Sequence, residues 1–141
     1  MRSYYLHFAS YGAENVLTIT SIFAAILGLM LFALSFQVSL RRMKVGANDG
    51  DGGDETLRRR IRAQGNFIEY APLALILLAL VEMAQAQAWT LWGLGGLLLA
   101  GRAAHALGML AGSTPLRALG MIMTYSSILL SSGWLIGALL N

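Results

Sequence analysis

The chain has 141 residues, of which 57% are hydrophobic and 12% charged, with a net charge of +3 and a mean hydropathy of +0.63. So apolar a composition excludes a soluble domain of this size, and the absence of cysteine excludes disulfides and any thiol chemistry on the protein's own side chains. The charge is localised: seven Lys/Arg and four Asp/Glu lie from Arg41 to Arg62, against three of each elsewhere.

Tyr4, Phe8 and Tyr11 recur at helical spacing ahead of the first apolar run and read as an interfacial aromatic collar. No charge interrupts Asn15 to Leu40, a length that exceeds the roughly 20 residues needed to cross a bilayer core of ~30 Å. The run is too long for the apolar region of a cleaved signal peptide and has no convincing small-residue cleavage site. It predicts a first span over about residues 15–40.

A hydrophilic loop, 41–56, follows, with Gly46-Ala-Asn-Asp-Gly-Asp-Gly-Gly-Asp at its centre. These residues favour turns and unusual backbone angles. Asp49, Asp51 and Asp54 superficially resemble a calcium loop, but the bidentate Glu at the twelfth position is missing, so no metal site is expected. Asp54 instead suits the cap of the next helix. The basic excess of this loop and its flanks predicts that it is cytoplasmic, placing both termini and the connection near Glu82 to Gln87 on the other side. The basic cluster is short, interrupted by acids and tied to two membrane helices, so a nucleic-acid partner is not expected.

The second span, about residues 57–82, carries the most informative feature of the chain. Arg59, Arg62, Asn66 and Glu69 are separated by three, four and three residues and share one helical face. The arginines can snorkel to the headgroups, whereas Glu69 lies about two turns deeper and needs a partner. The stripe is either an oligomerisation lock, with an arginine paired to Glu69, or the wall of a water-accessible pocket. Such a pocket suits a ligand with both carboxylates and amines, because Arg offers planar forks, Glu accepts, and Asn does either.

The third and fourth spans are expected over about residues 86–110 and 116–139. Gly96, Ala100, Ala104 and Gly108 recur every four residues, as do Gly133 and Gly137, marking surfaces for close helix packing within or between chains. Arg102 and Arg117 are the only charges on their helices, and His105 stands one turn from Arg102. With Arg41, Arg42 and Lys44 they gather at the same membrane face as the stripe.

Gln37-Val38 before Arg41-Arg42, then Arg62-Ala-Gln-x-Asn-x-x-Glu-Tyr-x-Pro, resembles the membrane-associated proteins in eicosanoid and glutathione metabolism. That family includes microsomal glutathione transferases, leukotriene-C synthase and microsomal prostaglandin-E synthase. The Gly-Asp loop and Gly101-Arg-x-x-His-x-x-Gly look most like its bacterial branch. The resemblance implies an all-α four-transmembrane-helix bundle, a single domain over 1–141, assembled as a homotrimer with glutathione between subunits at the cytoplasmic side. It implies ligand contacts from Arg62, Gln64, Asn66, Glu69 and Tyr70, and from Arg41 or Arg42; Arg102 and His105 are further candidates by their place on the third span at the same membrane face. Arg117 stands near the place of the family's thiolate-stabilising arginine, across a one-residue insertion. His105 and Met109 stand where eukaryotic members place tyrosines, and Ala118 replaces the serine that follows the catalytic arginine of prostaglandin-E synthase, so that isomerase chemistry is not supported.

The expected function is therefore that of a bacterial inner-membrane transferase. It would use glutathione as co-substrate and activate its thiol, with Arg117, toward a lipophilic electrophile that enters from the bilayer. Its rivals are a small transporter in which Glu69 is the protonatable carrier, and a member of the fold without turnover.

Overall fold

A computed structural model describes residues 17–140. Four α-helices, with no strand among the described residues, make up the chain: α1 (Thr18–Val45), α2 (Glu55–Met83), α3 (Ala88–Ala111) and α4 (Thr114–Leu140). Each is long and apolar enough to cross a membrane. Even α3, the shortest at 24 residues, extends ~36 Å at ~1.5 Å per residue. The protein is an integral membrane protein with an all-α four-helix bundle. Tyr4, Phe8, Tyr11 and both chain ends lie outside the described residues.

α1 continues beyond the apolar run to Val45, so Arg42 and Lys44 form its last turn, where basic groups complement the carbonyl end of the helix. Gly46 stops it in the left-handed conformation (φ 68°), which a side chain would disfavour, and donates its N–H to the Arg42 carbonyl. α2 starts where the carboxylate of Asp54 accepts from the Leu57 N–H at 2.6 Å. This is the cap expected of that residue. The N-terminus of α1 has no side-chain cap from its own N-cap residue, Leu17. Glu82, from the last turn of α2, supplies it instead, accepting the N–H of Ile19 on Oε1 at 2.9 Å and of Thr20 on Oε2 at 2.7 Å.

The buried faces follow helical spacing. On α2 they are Ala63, Phe67, Ala71, Ala74, Leu78 and Val81; on α1, Phe23, Leu27, Leu34 and Val38. These meet Leu91, Leu94, Leu98, Ala106 and Met109 of α3 in two apolar clusters stacked along the bundle. Half of the apolar window of α3 is buried, against 22–28% for the other helices. It is therefore the central helix, while the outward rows such as Leu29, Phe32, Leu73, Ile76 and Leu129 are left for lipid or a neighbouring chain. α1 and α4 do not pack on each other.

α3 and α4 form the tightest seam. A Cβ on Gly101 would stand 2.9 Å from the Thr124 nitrogen, and one on Gly108 would stand 2.6 Å from the Arg117 nitrogen. The side-chain-free positions let the two backbones touch. Gly120 completes the seam from α4, facing the His105 backbone. The close approach thus runs through Gly101, Gly108 and Gly120, while a Cβ added at Gly96, Gly133 or Gly137 would meet nothing within 4 Å. Of the glycines in the expected small-residue rows, Gly108 is the one whose added Cβ would meet a neighbouring helix.

Candidate functional site

The first turns of α2 put Glu55, Arg58, Arg59 and Arg62 on one face, at the spacing i, i+3, i+4, i+7. Opposite them the chain turns from α3 to α4, and Met109, Gly112 and Arg117 close a cleft of about 370 Å³. That volume falls in the ~300–1,000 Å³ range of small-molecule sites. Glu55 pairs with Arg58 and with Arg59, the latter at 2.9 Å. Arg62 and Arg117 are exposed, and their guanidinia carry no ion pair or hydrogen bond among the described residues. Four guanidinia against one carboxylate suit the cleft to an anion, and the two guanidinia without a partner are those free to meet a ligand.

Two glycines shape this cleft. Gly112 ends α3 in the left-handed conformation (φ 72°), and a Cβ there would run into the Arg59 guanidinium, 3.1 Å from its Cζ. Gly108 seats the first turn of α4 and with it the Arg117 backbone. Pro115 lies in that same turn, where a missing N–H costs nothing.

A second cleft, of about 380 Å³, lies on the other side of Arg59, lined by Gln37, Glu55, Thr56, Arg60 and Leu110 as well. Arg60 donates there to the Gln37 carbonyl at 3.0 Å and so ties α2 to α1.

Arg41 and Arg42 serve the loop. Arg41 forms a two-bonded pair with Asp54, Nε to Oδ1 at 3.0 Å and Nη2 to Oδ2 at 2.6 Å, and Arg42 reaches the carbonyls of Ala47 and Asn48. Asp54 is thus cap and counter-ion at once. The Arg41 guanidinium, then the Leu57 N–H, hold its carboxyl well below the usual carboxylate range, at about 2.

Deeper in the bundle, the stripe on α2 meets α3. Arg102 is fully buried, donating from Nη2 to Asn66 Oδ1 at 2.9 Å and from Nη1 to Thr124 Oγ1 at 3.4 Å, with its guanidinium 5.5 Å from the centre of the Phe67 ring. Thr124 in turn donates to the Gly120 carbonyl at 2.8 Å. A buried cation is costly, and these groups, a cation–π contact worth up to ~2 kcal/mol when desolvated and the charge of Glu69 nearby all compensate it. Gln64 donates to Ser35 Oγ at 3.1 Å, a bond between α2 and α1. Tyr70 shares a hydrogen bond of 3.2 Å with Tyr125, their rings edge to face, and Glu69 lies exposed on the outward face beside Ile68. His105 is buried with its Nδ1 unpartnered, and it lines a separate crevice with Thr114, Arg117, Ala118 and Met121.

Of the expected ligand residues, the structure therefore brings Arg62 and Arg117 into one cleft across 55 positions of sequence. Asn66, Glu69 and Tyr70 lie further along α2, Gln64 and Arg102 bond within the bundle, and Arg41 and Arg42 bond at the loop. Glu55 and Arg58 line the same cleft and were not among the expected ligand residues. The signal was present, because they continue the Arg59–Arg62 row one turn toward the helix start.

The chain matches the MAPEG family over residues 20–137. It is 36% identical over 112 residues to "Inner membrane protein YecN" of Escherichia coli strain K12, a stretch covering 79% of this chain and 86% of that protein. The protein of the same name in Escherichia coli O6:H1 matches to the same extent. No solved structure matches significantly.

Proposed function

The chain belongs to the MAPEG family, and on that premise we propose that it is a glutathione-dependent membrane transferase whose tripeptide site is the arginine cleft between α2 and the α3–α4 turn. The observation that carries this reading is that Arg62 and Arg117, both without a partner, line one cleft of about 370 Å³. Glutathione has two carboxylates and one ammonium group, which fit several guanidinia and a carboxylate. Its thiol, with an ordinary pKa of about 8.5, is only a few per cent ionised at neutral pH. A guanidinium at ~4 Å favours the thiolate by at most about 4 kcal/mol at an effective dielectric of ~20, and desolvation subtracts from that. A net ~2 kcal/mol brings the thiol to about 7, where half is nucleophilic. Arg117 takes this role and Arg62 holds a carboxylate.

Glu69 supports assembly as part of the same reading. In a single chain this carboxylate is exposed on a membrane helix with no ion pair among the described residues, Arg102 and Tyr125 being the polar groups near it, and such a group calls for a partner. A homotrimer in which a neighbouring subunit covers this face brings Glu69, Tyr70 and Asn66 toward glutathione bound at the boundary. The lipophilic co-substrate arrives from the bilayer, and the relative's name points to the inner membrane as its location.

Thermal-shift titration of the detergent-solubilised protein with glutathione tests the reading. Stabilisation is expected in the wild type. Arg62→Ala, which breaks no side-chain hydrogen bond or ion pair among the described residues, should weaken binding about ten- to a hundredfold, the value of ~1.5–3 kcal/mol for a charge-assisted bond. Arg117→Ala should bind nearly as well but lose the ultraviolet absorbance of bound thiolate and the conjugation of a chloronitrobenzene, with Arg117→Lys recovering part of both. No stabilisation by millimolar glutathione sinks the proposal, and retention of the thiolate band in Arg117→Ala assigns activation elsewhere.

A further inference from the structure

Resting on that reading, we propose that Arg102 is a positioning residue that never touches the ligand and acts through Asn66. It holds the side-chain oxygen of Asn66 and so leaves the amide nitrogen as the atom that meets glutathione. Asn66 then donates to a carboxylate or peptide carbonyl oxygen of the tripeptide and offers no acceptor to its ammonium group.

Burial separates Arg102 from the ligand. Its side chain is 0% exposed in the single chain, and a covering subunit could only bury it further.

Hydrogen-bonding capacity fixes the orientation of Asn66. A guanidinium carries donors only, so the atom that meets Arg102 Nη2 at 2.9 Å has to be the oxygen of the amide. With Oδ1 held there, Nδ2 and its two hydrogens are turned away from Arg102. Asn66 is half-buried, and Nδ2 has no partner among the described residues, yet it is not sealed off as the Arg102 Nε is. Asn66 stands one turn deeper than Arg62 on the same face of α2, so this donor comes next in line after the guanidinium of the arginine cleft.

Arg102 is itself held in place by the seam between α3 and α4. The one hydroxyl proton of Thr124 goes to the Gly120 carbonyl at 2.8 Å, so toward Arg102 Nη1, at 3.4 Å, its oxygen can only accept. The seam presses that hydroxyl against α3, since a Cβ on Gly101 would stand 2.9 Å from Thr124 Oγ1. The Phe67 ring lies 5.5 Å from the guanidinium as well. An unrestrained Asn amide turns over about its last torsion and presents oxygen and nitrogen almost interchangeably. A fixed cation removes that choice before the ligand arrives, which spares the cost of ordering the group on binding.

Glutathione affinity of the full-length protein in detergent, read beside the ligand-free melting temperature, tests this. Asn66→Asp keeps the bond to Arg102, now as an ion pair, and replaces the free donor with an acceptor. It should melt no lower than the wild type, yet bind glutathione about tenfold more weakly and more weakly than Asn66→Ala. A contact that serves the fold alone would leave the affinity unmoved. Arg102→Met removes the lock, and a double-mutant cycle separates its action through Asn66 from any other effect of the cation. Affinity should fall about three- to tenfold when Arg102→Met is made in the wild type, and hardly at all when it is made in Asn66→Ala. Equal losses in the two backgrounds mean that Arg102 acts by its charge or through the fold, and overturn the proposal. Undiminished binding by Asn66→Asp also overturns it, and that result needs no Arg102 variant to fold. If the wild type binds no glutathione, the transferase reading itself falls, a result distinct from binding that is indifferent to Asn66.

Discussion

Single side chains at the ends of the helices do two jobs each, and Asp54 is the clearest case. Its carboxylate caps α2 through Leu57 and holds Arg41 at the end of α1. The folded-state pKa of about 2 lies below the ordinary value of 3.8. A depressed carboxyl stabilises the fold fully above its unfolded pKa and loses that contribution as pH falls through the folded one. Asp54→Asn keeps the cap but not the charge. Its melting temperature in detergent should therefore lie below that of the wild type at neutral pH, with the gap closing as pH falls from about 3.8 toward about 2; a gap that does not depend on pH removes the ion pair from the explanation. The residues most legible in the sequence were those out of place by polarity: Arg62, Asn66, Glu69, Arg102 and Arg117 in apolar helices. What the sequence left unreadable was their partners. Asn66 and Arg102 meet only because α3 lies against α2 in one register, and Glu82 reaches residues 62 and 63 positions away.

The elements themselves were legible because the bilayer imposes their length. A charge-free run long enough to cross has to be helical, since only internal bonding satisfies its backbone in lipid. Which small residues form the helix contacts was not legible. Both the Gly96–Gly108 row and the Gly101–Gly108 row have plausible spacing, and the choice depends on which side of α3 faces α4. Gly101→Ala and Gly96→Ala separate the two. A Cβ at 101 comes within 3.0 Å of the Gly120 carbonyl and closer still to Thr124, backbone that cannot move aside cheaply, so a loss of ~1–3 kcal/mol is expected. At 96 a Cβ meets nothing within 4 Å, and the gain in helix propensity, up to ~1 kcal/mol, should leave the protein at least as stable. Heat-inactivation curves of the two variants provide the comparison. Equal damage from both would show that another chain approaches Gly96 as closely as α4 approaches Gly101.

For the whole molecule, four antiparallel crossings place the α1–α2 loop and the α2–α3 turn at opposite ends of α2, and hence on opposite faces of the membrane. The arginine cleft lies at the loop end, because Glu55, Arg58, Arg59 and Arg62 occupy the first turns of α2. Topology therefore decides which compartment the arginine cleft opens to. The positive-inside rule assigns the basic end to the cytoplasm, as Lys and Arg near a span resist translocation. The α2–α3 turn carries no Lys or Arg from Met83 to Gln87, so nothing there opposes export. In this cysteine-free chain, single cysteines at Asn48 and Gln87 report each side without further substitution. In intact cells an impermeant maleimide should label Gln87→Cys and leave Asn48→Cys unmodified until the inner membrane is opened. The reverse pattern would turn the arginine cleft away from the cytoplasm, and glutathione as the co-substrate would then have to come from the other side. Labelling of both from outside would mean that α2 does not cross the membrane.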